Sequence, residues 1–162
     1  MNDYGSEKVN IRLACLDDIP QLINMRWQFT LEHEDVQPHV YKEFLVVYGE
    51  FLKSALNDHR WIIWLSERDG KILSHVFIQQ VDVVPRPGKK MSPLGYVTNV
   101  YTLPEHRNKG ICGEILETAK LNAKDENLEL LIVWPSNKSV NFYQRHGFFQ
   151  NTENMIAVLN DY

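Results

Sequence analysis

Thr102-Leu103-Pro104-Glu105-His106-Arg107-Asn108-Lys109-Gly110-Ile111-Cys112-Gly113 is an apolar strand end that breaks into a basic, glycine-bearing turn and opens a helix. Backbone N–H groups at a helix start lack intrahelical acceptors and carry the positive end of the helix dipole, so they bind an anion with little help from side chains. Such a turn suits a diphosphate. The basic trio His106, Arg107 and Lys109 would be a solvated loop elsewhere, but beside a helix start phosphate contact is the better reading. The expected ligand is a phosphorylated cofactor.

On the C-terminal side of the turn, Ile111, Ile115, Ala119 and Ala123 form an i, i+4 stripe, as in a helix lying on a sheet. Leu128 to Trp134 follows as a near-continuous apolar strand, and strand, helix, strand in this order implies a right-handed crossover between parallel neighbours. Ser136 or Asn137 can cap a short helix that Gly147 ends. Closing strands are expected at Phe148-Phe149 and over Met155 to Leu159.

On the N-terminal side, Tyr96 to Leu103 reads as the strand that feeds the turn, preceded by a Pro- and Gly-rich loop from Pro85 to Pro93. Trp61 to Leu65 and Ile72 to Val84 are strands joined by Arg68-Asp69-Gly70-Lys71, a hairpin signal. Val9, Ile11 and Leu13 alternate as a first strand. Ile19 to Leu31 and Pro38 to about Leu56 read as helices, with Pro20 tolerated in a first turn. The sum is an α+β fold, a mixed but mostly antiparallel sheet flanked by helices, in one domain spanning residues 1–162.

Composition narrows the function. A chain of 162 residues that is 44% hydrophobic is long enough for one substantial core, and no second domain is expected. Its net charge of −4 and pI near 5.8 argue against a nucleic-acid partner. Cys15 and Cys112 are the only cysteines and stand far apart, which favours a reducing, cytoplasmic compartment over a disulfide framework. No signal peptide or membrane-length apolar run is present, so no membrane partner is expected. The scattered histidines give no metal-ligand spacing. The Walker pattern, the Rossmann glycine fingerprint and a serine nucleophile elbow are absent as well.

Arg107-Asn108-Lys109-Gly110-Ile111-Cys112 resembles the acetyl-CoA loop of the GCN5-related N-acetyltransferases (GNAT), whose pattern is Arg or Gln, two residues, Gly, one residue, then Gly or Ala. A second segment, Phe142-Tyr143-Gln144-Arg145-His146-Gly147-Phe148, is similar to that family's aromatic-Tyr-x-basic-x-Gly-Phe signature. The order of elements resembles the family over essentially the whole chain. The resemblance implies acetyl-CoA as cosubstrate, with Arg107, Asn108, Lys109, Gly110, Ile111, Cys112 and Gly113 around the pyrophosphate.

Backbone groups of Val100, Tyr101 and Thr102 would then run beside the pantetheine and polarise the thioester, and Tyr143 would serve as general acid for the departing sulfur. A packed aromatic is the competing use of Tyr143. Ser136 stands where relatives often carry a cofactor-binding Asn, with Asn137 displaced by one; either contacts the cofactor or merely caps. Cys112 departs from the pattern by adding a side chain where a minimal residue lets the backbone approach, and weaker cofactor binding is expected.

The implied reaction moves acetyl to a primary amine of a small molecule or peptide. The amine must first lose a proton, because an alkylammonium with a pKa of about 10.4 is not nucleophilic. Many relatives carry a carboxylate on the strand before the loop, but here Tyr96, Thr98 and Asn99 are its polar residues. Candidate bases are Glu32, His33, Glu34, Asp35, His75 and Asp82, and the base stays unassigned. The alternative is a noncatalytic acyl-CoA-binding module of the same fold. Trp27, Trp61 and Trp64 would mark a homodimer surface if exposed, with core packing as the competing use.

Overall fold

Asp69 and Gly70, both left-handed at φ 52° and 76°, close the tight turn between strands Trp61–Arg68 and Lys71–Val81, as the Asp-Gly pair anticipates. The computed structural model describes residues 8–151 except 89 and 91, together with 155 and 157. Its elements are β1 (Asn10–Leu13), α1 (Ile19–His33), α2 (Tyr41–Asn57), β2 (Trp61–Arg68), β3 (Lys71–Val81), β4 (Leu94–Thr102), α3 (Ile111–Asp125), β5 (Leu130–Val133) and α4 (Val140–Arg145). The sheet runs β1-β2-β3-β4-β5. Its first three pairings are antiparallel and β4–β5 is parallel.

Several ends differ from the sequence expectation for identifiable reasons. β3 stops at Val81, short of Val84, because its partner β4 begins opposite it at Leu94. β5 begins at Leu130, not Leu128, because the Leu128 N–H bonds back to Ala123 O (2.9 Å) and closes the end of α3 around left-handed Asn127. The expected strand at Phe148-Phe149 is absent: the Phe148 N–H bonds to Tyr143 O (3.1 Å) and Gly147, at φ 82°, supplies the left-handed C-terminal residue of α4. The expected strand over 155–159 falls largely outside the described residues.

Period-2 alternation along β2, β3 and β4 divides the apolar residues between two layers. Leu22 and Leu52 from α1 and α2 pack with Ile63, Leu65, Phe77 and Tyr101 on one face. Ile115 and Leu116 from α3 and Tyr143 from α4 pack with Val76, Ile78 and Val97 on the other. Each fully buried Leu or Ile in these layers contributes about 1.5–3 kcal/mol. Trp61 and Trp64 pack on these two cores and Trp27 on Tyr41 and Phe44, so all three are used in packing.

An ion cluster pins β1 to the start of α1. Arg12 donates to both oxygens of the buried Asp18 (2.8 and 2.9 Å) and, through Nε, to Glu67 on β2 (2.8 Å). The Arg12 hydrogen bonds hold the Asp18 carboxyl below its usual range against the opposing effect of burial.

Two irregularities position the site. In the β3–β4 register Phe77 faces Thr98 while His75 faces Tyr101, so β4 carries one extra residue there, a bulge, with Asn99 left-handed at φ 45°. The bulge flips the side-chain phase. Val97 packs towards α3, yet Asn99 meets Tyr48 of α2 and Tyr101 meets Phe29 of α1. The second irregularity is that β4 and β5 pair only from Leu94 to Val97, so the Thr98–Thr102 stretch of β4 has no partner on its β5 side.

Candidate active site

The wedge where β4 and β5 part opens into a cleft of about 1170 Å³, bounded by α1, β4, the start of α3 and α4. Asn108 and Gly110 are left-handed, at φ 59° and 80°, and turn the chain from β4 into α3. No heavy atom stands within 4 Å of a Cβ built on Gly110, so its conformation, not crowding, calls for glycine there. The first bond of α3 runs from the Glu114 N–H to Gly110 O (3.1 Å), which leaves the Ile111, Cys112 and Gly113 N–H groups without acceptors inside the helix.

Arg107, Asn108, Gly110, Ile111, Cys112 and Gly113 line the cleft, as do Val100, Tyr101, Thr102, Ser136 and Tyr143. Lys109 and Asn137 are exposed and do not line it. Neither Ser136 nor Asn137 caps α4. That position belongs to Ser139, whose N–H bonds to Ser136 O (2.9 Å) and whose carbonyl accepts from the Tyr143 N–H (3.2 Å). The local sequence offers three capping residue types within four positions, Ser136, Asn137 and Ser139, and the Tyr143 N–H bond to Ser139 O marks the last as the cap.

Arg107 turns towards α1. It donates through Nη2 to both Glu32 oxygens (2.8 and 2.7 Å) and through Nε to Thr102 O (2.9 Å), with its guanidinium 5.3 Å from the Tyr101 ring centroid. Glu32 also accepts from the Tyr101 hydroxyl (2.6 Å). Burial alone would raise the Glu32 carboxyl, but hydrogen bonds from Tyr101 and Arg107 outweigh it and hold the group below its usual range. Of the other candidate bases, His33 lines the cleft, whereas Glu34, Asp35 and Asp82 do not. His75 is fully buried beneath the bulge, with Nδ1 2.8 Å from Asn99 O.

Cys112 and Tyr143 stand near each other at the floor. The Cys112 thiol lies against the hydroxyls of Ser74 and Thr102, and burial pushes its pKa up to about 11. Tyr143 is 6% exposed and edge-on to Phe142 and Phe148 (5.1 and 5.4 Å between centroids). Burial, then the proximity of Cys112 and Tyr96, raises the Tyr143 hydroxyl well above the ordinary phenol range. Gly113 meets α4: a Cβ there would stand 2.6 Å from His146 Cε1.

The sequence matches the family model of the acetyltransferase (GNAT) domain over residues 10–150. The chain belongs to the GNAT acetyltransferase family. Among the curated proteins no sequence matches it. Among solved structures, this GNAT domain is similar to a predicted acetyltransferase from Clostridium acetobutylicum with acetyl-CoA, at 25% identity and TM-score 0.75, covering 94% of this chain and 97% of that one. It also resembles glucosamine-6-phosphate N-acetyltransferase from Arabidopsis thaliana (18% identity, TM-score 0.69, 95% and 100% covered). An aminoglycoside acetyltransferase from an uncultured soil sample, in complex with trehalose, shares the fold at 13% identity (TM-score 0.69, 94% and 97% covered).

Two cleft residues of the GNAT domain escape a reading of its motifs. Arg26 and Asn99 line the α1 side of the cleft. Arg26, Phe29 and His33 share one helical face by their i, i+3, i+7 spacing, which is visible in sequence. The bulge that turns Asn99 towards them leaves no local signature.

Proposed function

We propose that this GNAT domain moves an acetyl group from acetyl-CoA to the primary amine of a small molecule or peptide by direct attack, with no covalent enzyme intermediate. The unpartnered edge of β4, running from the glycine turn into the cleft, carries this reading. Acetyl-CoA supplies the activated thioester. The free N–H groups at the start of α3 suit its pyrophosphate, and Lys138 and Arg145 on the same side of the cleft add positive charge for phosphates.

Along β4, the carbonyls of Asn99, Tyr101 and Thr102 already accept from His75, Ser74 and Arg107. The edge around Val100 to Thr102, unpartnered on its β5 side, offers backbone N–H donors to a thioester oxygen, in the manner of an oxyanion hole. Tyr143 stays protonated across the working pH range and donates a hydrogen bond where charge develops on the departing sulfur. Direct attack is supported by the state of Cys112. With a thiol pushed up to about 11, the cleft cysteine is not a ready nucleophile. Glu32, held ionised by Tyr101 and Arg107, is suited to tethering the turn and not to taking a proton.

Titrating acetyl-CoA and then following free thiol release with polyamines, aminoglycosides, amino acids and peptides tests the reading. Acceptor-dependent release supports it. Binding without release makes the protein a noncatalytic acyl-CoA-binding module, and no binding removes both readings.

A further inference from the structure

The α1 side of the cleft holds a cation, Arg26, that has no counterion among the described residues. Arg26 lies with its guanidinium 5.0 Å from the Phe29 ring centroid and one nitrogen 3.5 Å from Asn99 Oδ1, at the limit of a hydrogen bond. Among the described residues no carboxylate forms an ion pair with it. Glu32, the carboxylate lining the cleft, is engaged by Arg107 and Tyr101. Asn99 is itself held: the bulge turns it to this side and its Nδ2 donates to the Tyr48 hydroxyl (3.0 Å). Arg26 is therefore a cleft-lining guanidinium whose one hydrogen bond among the described residues, 3.5 Å to Asn99 Oδ1, leaves donors for a ligand.

A guanidinium presents a planar fork of five donors that matches a carboxylate or phosphate, and it repels a polycation. We infer that the acceptor amine carries an anionic group, a carboxylate or a phosphate, held by Arg26 while its amine faces the thioester. This rests on the acetyl-transfer reading above. It assigns Arg26 to acceptor choice and not to the cofactor.

The test measures initial rates of thiol release from acetyl-CoA with propylamine, β-alanine, O-phosphoethanolamine and putrescine, using the full chain and its Arg26→Gln, Arg26→Lys and Arg26→Glu variants. Circular dichroism melts establish that each variant is folded. The anionic amines should show kcat/KM at least about tenfold above propylamine, and Arg26→Gln should lose about tenfold or more on them selectively, chiefly through KM. Arg26→Lys should recover part of the loss, and Arg26→Glu should move the preference to putrescine. Whichever of β-alanine and O-phosphoethanolamine leads identifies the anion.

A wild-type preference for propylamine or putrescine overturns the inference, as does undiminished discrimination in Arg26→Gln or an equal loss of acetyl-CoA affinity. If acetyl-CoA binds but no amine releases thiol, the transfer reading fails separately. Calorimetric titration of β-alanine and O-phosphoethanolamine into CoA-loaded protein then decides on Arg26. Binding lost in Arg26→Gln supports its role, and no binding to the wild type removes it.

Discussion

Half-buried Cys112 and buried Tyr143 are neighbouring groups whose protons are held tightly, and each has a distinct consequence. Tyr143→Phe removes the hydroxyl but keeps the ring that packs on Phe142 and Phe148, so kcat should fall by about 10²-fold while the Kd for acetyl-CoA changes little. Stopped-flow rates beside equilibrium binding separate the two. At Cys112 the departure from the family pattern suggests an obstructed turn, but the thiol lies on Ser74 and Thr102, beside the sheet. Cys112→Gly should therefore leave acetyl-CoA affinity nearly unchanged and cost about 1 kcal/mol of stability, because glycine weakens a helix. A tenfold gain in affinity would reinstate the obstruction. Sequence identifies both residues, and only the packing around them says which way their side chains work.

Helix α3 is tied to α4 through one histidine. The His146 ring covers Gly113, its Nδ1 lies 2.9 Å from Glu117 Oε1, and its carbonyl accepts from Lys120 Nζ (2.7 Å). In an unconstrained helix Gly→Ala stabilises by about 1 kcal/mol. Here a Cβ 2.6 Å from a ring held by Glu117, on a residue whose backbone is held by Lys120, reverses the sign. Gly113→Ala should lower stability by about 1–3 kcal/mol, read as a lower Tm, and weaken acetyl-CoA binding as α4 and Tyr143 shift. Adding His146→Ala should restore much of the Tm. The elements themselves were largely legible: the Asp-Gly hairpin, the α3 stripe and the Gly147 stop follow from local patterns. The ends of β3 and β5 were not, because they depend on where a partner strand begins or where a helix cap captures an N–H.

Across the whole molecule, burial of His75 couples folding to pH. Because a carbonyl can only accept, the Asn99 bond fixes the proton on His75 Nδ1, and Nε2 is buried without a hydrogen-bond partner among the described residues. Burial lowers the pKa from 6.5 to about 4. Below pH 6.5 the unfolded chain takes up the proton first, so stability is full above that pH and falls as pH drops towards 4, by about 3 kcal/mol there. The lowered Asp18 carboxyl adds loss in the same direction as it protonates. Denaturant melts between about pH 7 and pH 4 should show this decline, and His75→Gln should flatten it. The amino-acid sequence by itself determined the glycine turn into α3, the helix stripes, the strand order of the hairpins and the α+β class, because these arise from backbone preference and periodicity within a few residues. Tertiary structure alone decided the Asn99 bulge, the Glu32–Arg107 tether, the placing of Arg26 beside Asn99 and the burial of His75. Those pairings join residues dozens of positions apart, and they are set by which strand register and helix face minimise the free energy of the whole packed sheet.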